Sequence, residues 1–180
     1  MNKLRIPLSV TLLLAGLFWV WVSRIPENQI PSQLIKAAQI GFRAPDFKLS
    51  GFNSEDILLS DFNGKPVILN YWASWCPPCK AEMPAFQQAY QEFTTTDLII
   101  IAINATNQDS MSDISQFIHK HELTFPIALD KTGSASRDYL VHSLPTTYFI
   151  DKNGVIQDII IGGPIPLSLL RIQASQLLAE

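Results

Sequence analysis

Two cysteines are all that this 180-residue chain carries, and both sit in a single Cys-x-x-Cys, Cys76 and Cys79. A disulfide-stapled scaffold needs several separated pairs, so that class is excluded. A structural zinc site needs four ligands, and there is no second thiol pair to complete one. Histidine is scarce too, at three residues. His119 and His121 flank the end of an expected helix as surface residues. His142 stands three positions before Pro145, and a lone imidazole gives no site geometry. No metal, nucleotide or flavin is implied. Basic charge is also short: 13 Lys/Arg against 16 Asp/Glu, a net of −3. Beyond residue 39 the count is nine against fifteen, or −6, so no nucleic-acid surface is expected. Internal repeats and low-complexity tracts are absent.

Charge is missing altogether from residues 6–22, IPLSVTLLLAGLFWVWV. Seventeen apolar positions reach the short end of what a membrane-spanning helix requires, and the run is apolar on every face, unlike a core helix. Trp19 and Trp21 lie near its exit, where indoles favour the membrane interface. No small-x-small cleavage pattern follows in WVSRIPENQ, which favours a retained anchor over a cleaved signal peptide. Lys3 and Arg5 on the N-terminal side set the N-terminus in the cytoplasm. The expected layout is a cytoplasmic tip and transmembrane anchor over 1–22, in contact with membrane lipid, then a linker over 23–39 and a domain over 40–180. That domain faces the periplasm, or the outer side of a single-pass cell (inner) membrane protein.

Within the domain, hydrophobic periodicity alternates between strand and helix. PVILNYW (66–72) and DLIIIAIN (97–104) are β-rich apolar runs that read as buried parallel strands. Between them, Cys79, Met83, Phe86 and Tyr90 recur at intervals of four, three and four, the spacing of one helix face. Strand, helix and strand in this order form a βαβ unit. Pro84 falls inside that helix and is expected to kink it, since the apolar spacing continues past it. Shorter strands are expected at 47–49, 56–59 and 125–129. Helices are expected at 112–121, capped by Ser110 and Asp113, at 134–140, and from Pro166 to about Leu178. Asp151-Lys152-Asn153-Gly154 between apolar runs is a hairpin signal, pairing 146–150 with 155–161. The fold class is therefore α/β, a mixed sheet with helices on both faces.

WASWCPPC carries the chemistry. The thiolate, not the thiol, attacks a disulfide. Cys76 closes the loop after a strand and opens a helix, where unpaired backbone N–H groups and the helix dipole favour negative charge. Pro77 fits the first helical turn, because the N–H it lacks would have no partner there. Cys79 lies one turn on and can resolve a mixed disulfide by attacking the Cys76 sulfur. Glu82 follows Cys79 by three and shares its helix face. It reads either as a proton-transfer group for Cys79 or as an ordinary solvated glutamate.

Three segments together resemble the thioredoxin superfamily, in its branch of TlpA/ResA-like membrane-anchored thiol–disulfide oxidoreductases. They are GFRAPDF (41–47), LNYWASWCPPCKAEMP (69–84) and LPTTYFID (144–151). The resemblance runs from about residue 40 to the C-terminus and implies a thioredoxin-like fold. It also implies a redox-active Cys76–Cys79 disulfide and a substrate-facing surface of Trp75, Pro77, Leu144 and Pro145. Pro145 matches the family's cis-proline, although only about 5–6% of X-Pro bonds in folded proteins are cis. Many members act as reductants, including in cytochrome c maturation, where apocytochrome c is the protein disulfide substrate. The electron donor there is a membrane thiol protein of the CcdA/DsbD type.

One position departs from general thioredoxins. They carry a buried Asp six residues before the first cysteine, and here Asn70 stands there, which cannot titrate. In the TlpA/ResA-like branch a glutamate at the position of Glu82 belongs to the active site. Two other classes share parts of the pattern. A Sco-like copper-binding assembly factor shares fold and anchor but uses Cys-x-x-x-Cys with a distant His. A thiol peroxidase shares Ala44-Pro45-Asp46-Phe47 but carries Thr-x-x-Cys where this chain has Ser74-Trp75-Cys76. The two-residue spacing and the intervening Pro-Pro favour dithiol–disulfide exchange over both.

Overall fold

The computed structural model describes residues 18–19 and 37–179. The expected membrane span at 6–22 lies outside the described residues apart from Phe18 and Trp19, which are helical. Among the described residues no helix is long and apolar enough to cross a membrane.

Seven strands form one mixed sheet: β1 (Lys48–Gly51), β2 (Asp56–Leu58), β3 (Val67–Trp72), β4 (Ile99–Asn104), β5 (Ile127–Leu129), β6 (Thr146–Ile150) and β7 (Ile156–Ile161). Their order is β2-β1-β5-β4-β3-β6-β7. β3, β4 and β5 run parallel, and the other neighbours are antiparallel. Four α-helices complete the domain: α1 (Pro77–Glu92), α2 (Met111–Lys120), α3 (Ser134–Asp138) and α4 (Leu167–Ala179).

The apolar runs explain the centre of the sheet. β3 is buried at all six positions, and β4 at five of six, as strands covered on both faces require. Ile68 and Trp72 of β3 point into a core formed with Met83 and Phe86 of α1, Ile114 and Phe117 of α2, and Leu170 of α4. Leu69 and Tyr71, one residue out of phase, join Ile101, Phe47 and Tyr139 on the opposite face, where α3 packs. Ala38 belongs to that second core, and Ala37 N–H donates to the Arg43 carbonyl, so both residues pack with the domain although they were expected in the linker. At the hairpin, Gly154 sits at φ +79°, and Asp151 Oδ1 accepts from the N–H groups of Asn153 and Val155. The positive φ is the reason that Gly is needed there.

α1 runs through Pro84 to Glu92. The helix survives a missing N–H because its inner face is firmly buried: Cys79, Met83, Phe86 and Ala89 are all fully enclosed. Ser110 caps α2 as expected, accepting from Asp113 N–H at 3.1 Å and donating to its carboxylate at 2.7 Å. This packing generates a prediction. Phe86→Ala removes a ring from the α1–sheet contact and should cost about 3–5 kcal/mol. Guanidinium unfolding of the oxidised protein measures it, and a loss below about 1 kcal/mol would mean that α1 is not held by this face.

Candidate active site

β3 delivers the thiol loop to the carboxyl end of the parallel strands. Cys76 is the N-cap of α1, in extended conformation, and its sulfur accepts from Cys79 N–H at 3.3 Å. Pro77 and Pro78 occupy the first two helical positions, so the first N–H of the helix that can point at the sulfur belongs to Cys79. The two cysteines form a disulfide, with Cα atoms 5.3 Å apart. Cys76 is 3% exposed and Cys79 fully buried, so the two are ranked as the helix start suggests, although neither is open to solvent.

A second loop fixes the first. The carboxylate of Asp109 accepts from the N–H and the hydroxyl of Ser74, both at 2.6 Å, and from Asn104 Nδ2 at 2.9 Å and Ser110 N–H at 2.9 Å. The Trp75 indole N–H donates to the Gln108 carbonyl at 2.8 Å, while the ring itself stays 52% exposed. The thiol loop is thus tied to the loop after β4 by charge-assisted bonds 35 residues apart in sequence. Neither Asp109 nor Gln108 is marked by any local motif.

Leu144–Pro145 is cis, as the resemblance implied, and a second cis bond, Gly163–Pro164, lies in the β7–α4 turn. Pro145 is buried, and its carbonyl accepts from Gly162 N–H at 2.8 Å. Leu144 is half-buried and shares with Trp75, Val141 and His142 a cleft of about 190 Å³. The structure therefore brings Trp75 and Leu144 to one groove and places His142 on its wall. Pro77 is exposed at the mouth of α1.

Glu82 is no solvated glutamate. It is fully enclosed. Oε1 accepts from Asn70 Nδ2 at 2.8 Å and Oε2 from Ile165 N–H at 3.0 Å. Burial pushes its pKa up to about 7, outweighing the two hydrogen bonds, which favour the carboxylate. The residue that cannot titrate, Asn70, thus holds the one that can. Asn70 Nδ2 also donates to Thr147 Oγ1 at 2.9 Å, and its Oδ1 has no partner among the described residues. A carboxamide serves either protonation state of a carboxyl: it donates to the anion or, turned over, accepts from the acid. Gly163 closes the site, since a Cβ there would lie 2.5 Å from Glu82 Oε2 and 2.7 Å from the Pro145 ring. The turn dipeptides Gly162-Gly163 and Gly163-Pro164 were the available signal for this wall, though nothing in them points to Glu82.

Comparison with known proteins shows the family and the fold. The AhpC/TSA family profile matches residues 40–159. The chain is 45% identical over 125 residues to thioredoxin-like protein YneN of Bacillus subtilis, covering 69% of this chain and 72% of that protein. It is 38% identical over 155 residues to thiol-disulfide oxidoreductase ResA of Oceanobacillus iheyensis, covering 84% and 77%. The crystal structure of StoA from Bacillus subtilis superimposes with a TM-score of 0.66 at 31% identity, covering 72% of this chain and 96% of that one.

The buried carboxyl generates a prediction about stability. Its folded pKa of about 7 lies above the ordinary carboxyl value of 4.5, so the folded state binds the proton more tightly. This contribution is complete below pH 4.5 and is lost as pH rises through about 7. Relative to Glu82→Gln, the oxidised parent should lose up to about 3 kcal/mol of unfolding free energy across that window. Denaturant titrations of both proteins at several pH values test it, and a parallel pH dependence would contradict a buried, titrating Glu82.

Proposed function

This chain belongs to the AhpC/TSA family and is a thioredoxin-fold thiol–disulfide oxidoreductase, and from that premise we propose that it reduces protein disulfides through Cys76 and Cys79. The observation that carries this reading is the asymmetry of the pair. The Cys76 sulfur caps a helix and receives an N–H, whereas Cys79 is enclosed one turn from a buried carboxyl.

The reaction starts from the dithiol. The Cys76 thiolate attacks one sulfur of the substrate disulfide. A Cys76–substrate bond forms, the substrate S–S bond breaks, and the departing sulfur takes up a proton. The Cys79 thiol gives its proton to the Glu82 carboxylate, and its sulfur attacks Cys76 Sγ. The Cys76–Cys79 disulfide forms and the second substrate sulfur leaves and is protonated. The substrate gains two electrons and the protein loses them. Trp75, Pro77, Leu144 and Pro145 are, in this reading, the residues that face the substrate. The peptide groups of Leu144, which make no backbone hydrogen bond among the described residues, offer an extended substrate chain its pairing partner.

The substrate class within this reading is an oxidised Cys-x-x-Cys-His segment of apocytochrome c, with a membrane thiol protein of the CcdA/DsbD type restoring the dithiol. Residues 6–22 anchor the chain in the cell membrane, and the domain works on the outer side. Support for the anchor is the uncharged apolar run alone.

Two experiments test this. With an oxidised Cys-x-x-Cys-His peptide, Cys79→Ala should accumulate a peptide–protein mixed disulfide, visible by intact mass, and Cys76→Ala should not. Trapping by Cys76→Ala instead would reverse the assignment of nucleophile and resolver. For the anchor, membrane fractions should contain a chain that retains its first residues. A mature N-terminus near Ser23 in the soluble fraction outside the cytoplasm would dispose of it.

A further inference from the structure

Trp75 stands between two grooves. The first is the cleft shared with Leu144. The second, of about 380 Å³, opens on the other side of the indole, between the thiol loop, α1 and the end of α2. Ser74 and Trp75 line it from the loop, Lys80 from α1, and Phe117, Lys120 and His121 from the α2 end. Nothing in the reaction above uses this groove.

Its charge is opposite to that of the domain. The stretch from residue 40 carries a net −6, counted as nine Lys/Arg against fifteen Asp/Glu. Yet Lys80 and Lys120 are exposed here and form no salt bridge among the described residues. Asp113 is the one acidic residue on the lining, and it is bonded to Ser110 at the helix cap. Asp109, behind Ser74, spends its oxygens on four inward donors. Glu122, next along the chain from His121, does not line the groove. The positive charges act on a common point: His121 is held below its ordinary pKa by burial first, and then by the ammonium groups of Lys120 and Lys80. The floor is aromatic, with the His121 ring on Phe117 at 4.3 Å between centroids and the exposed face of Trp75 beside them.

Position decides what such a groove can bind. Ser74 and Trp75 directly precede Cys76, and Lys80 N–H donates to the Cys76 carbonyl at 3.1 Å. The groove is therefore walled by the residues on either side of Cys76 in the chain. The geometry points to a docking site for an acidic stretch of polypeptide that flanks the reactive disulfide of the protein partner, its carboxylates meeting Lys80 and Lys120 and its apolar atoms resting on Trp75. This rests on the reading of Cys76 as the thiol that meets the partner, and it names a property of that partner: acidic residues within a few positions of its cysteines. Exposed pairs of this kind contribute modestly each and are screened by salt, so they select partners more than they tighten binding.

The test uses the reduced full-length chain in non-ionic detergent and three oxidised Cys-x-x-Cys peptides that differ only in their flanks, acidic, neutral or basic. At low salt, kcat/KM should favour the acidic over the basic peptide by about three- to tenfold, as two exposed charge pairs would give, and the ratio should approach one at high salt. Lys80→Glu with Lys120→Glu should invert it. Taking the ratio between peptides cancels any change the substitutions make in thiol reactivity. Equal rates for acidic and basic peptides, or a preference that survives the double substitution, would overturn the docking site while leaving the role of Cys76 intact. No exchange with any of the three would instead overturn the reading of Cys76, and the docking site with it. If anionic lipid added to the micelles responds to the charge reversals and the peptides do not, the groove faces a membrane and the proposal fails.

Discussion

The carboxyl of Glu82 is the point at which separate parts of the fold meet. It leaves α1 one turn after Cys79, reaches Asn70 in the middle of β3, and accepts from the backbone of Ile165 in the β7–α4 turn. Asn70 in turn is paired through its backbone with β4 and β6 and through its side chain with Thr147. A buried carboxyl with only two donors is costly in its charged form, so this packing sustains a group whose proton is nearly free to move. Gly163 belongs to the same constraint. Any side chain there would collide with both Glu82 and Pro145, so the proton site and the cis-proline approach each other only because that residue has none.

A second carboxylate does the opposite work. Asp109 is surrounded by donors, two of them from Ser74, and these bonds strap the thiol loop to the loop after β4. Glu82 has two donors in a buried site, whereas Asp109 takes four, and those four hold the shape of the loop. With the loop strapped, the Trp75 ring stands exposed between the cleft of Leu144 and the lysine-lined groove.

Much of this was legible in the sequence wherever the cause is local. Uninterrupted apolar runs announce β3 and β4, Asn153-Gly154 announces the β6–β7 hairpin, and a Cys-x-x-Cys after a strand announces a helix that begins at its first cysteine. The edge of the sheet was not legible: short strands β1 and β2 are visible as segments, but their attachment beside β5 depends on pairing across about eighty residues. The surroundings of Glu82 escaped for the same reason. Sequence spacing puts Glu82 beside Cys79, but its partner Ile165 is 83 residues away and contributes only a backbone N–H, which any residue but proline could supply. The raised pKa of Glu82 follows from this packing. Burial is sufficient in the oxidised pair, where no thiolate is present. His121 was expected as a surface residue and is partly buried against Phe117, because the chain leaves α2 across the aromatic edge of the core.

The matching of acidities gives the proposed resolving step its energetic sense. Once Cys76 is tied up in a mixed disulfide, the attack by Cys79 requires that its thiol lose a proton in an enclosed site, away from water. Raising the acceptor from the ordinary carboxyl value of 4.5 to about 7 lowers the cost of that transfer by about 3 kcal/mol. The N-cap cannot supply this help to Cys79, since its donor is the Cys79 N–H itself and is aimed at Cys76. Two thiols on one helical turn thus meet different physical problems. The outer one needs its anion stabilised, which the helix start provides. In the proposed resolving step the inner one needs its proton removed, and a buried carboxyl of raised pKa lowers the cost of that.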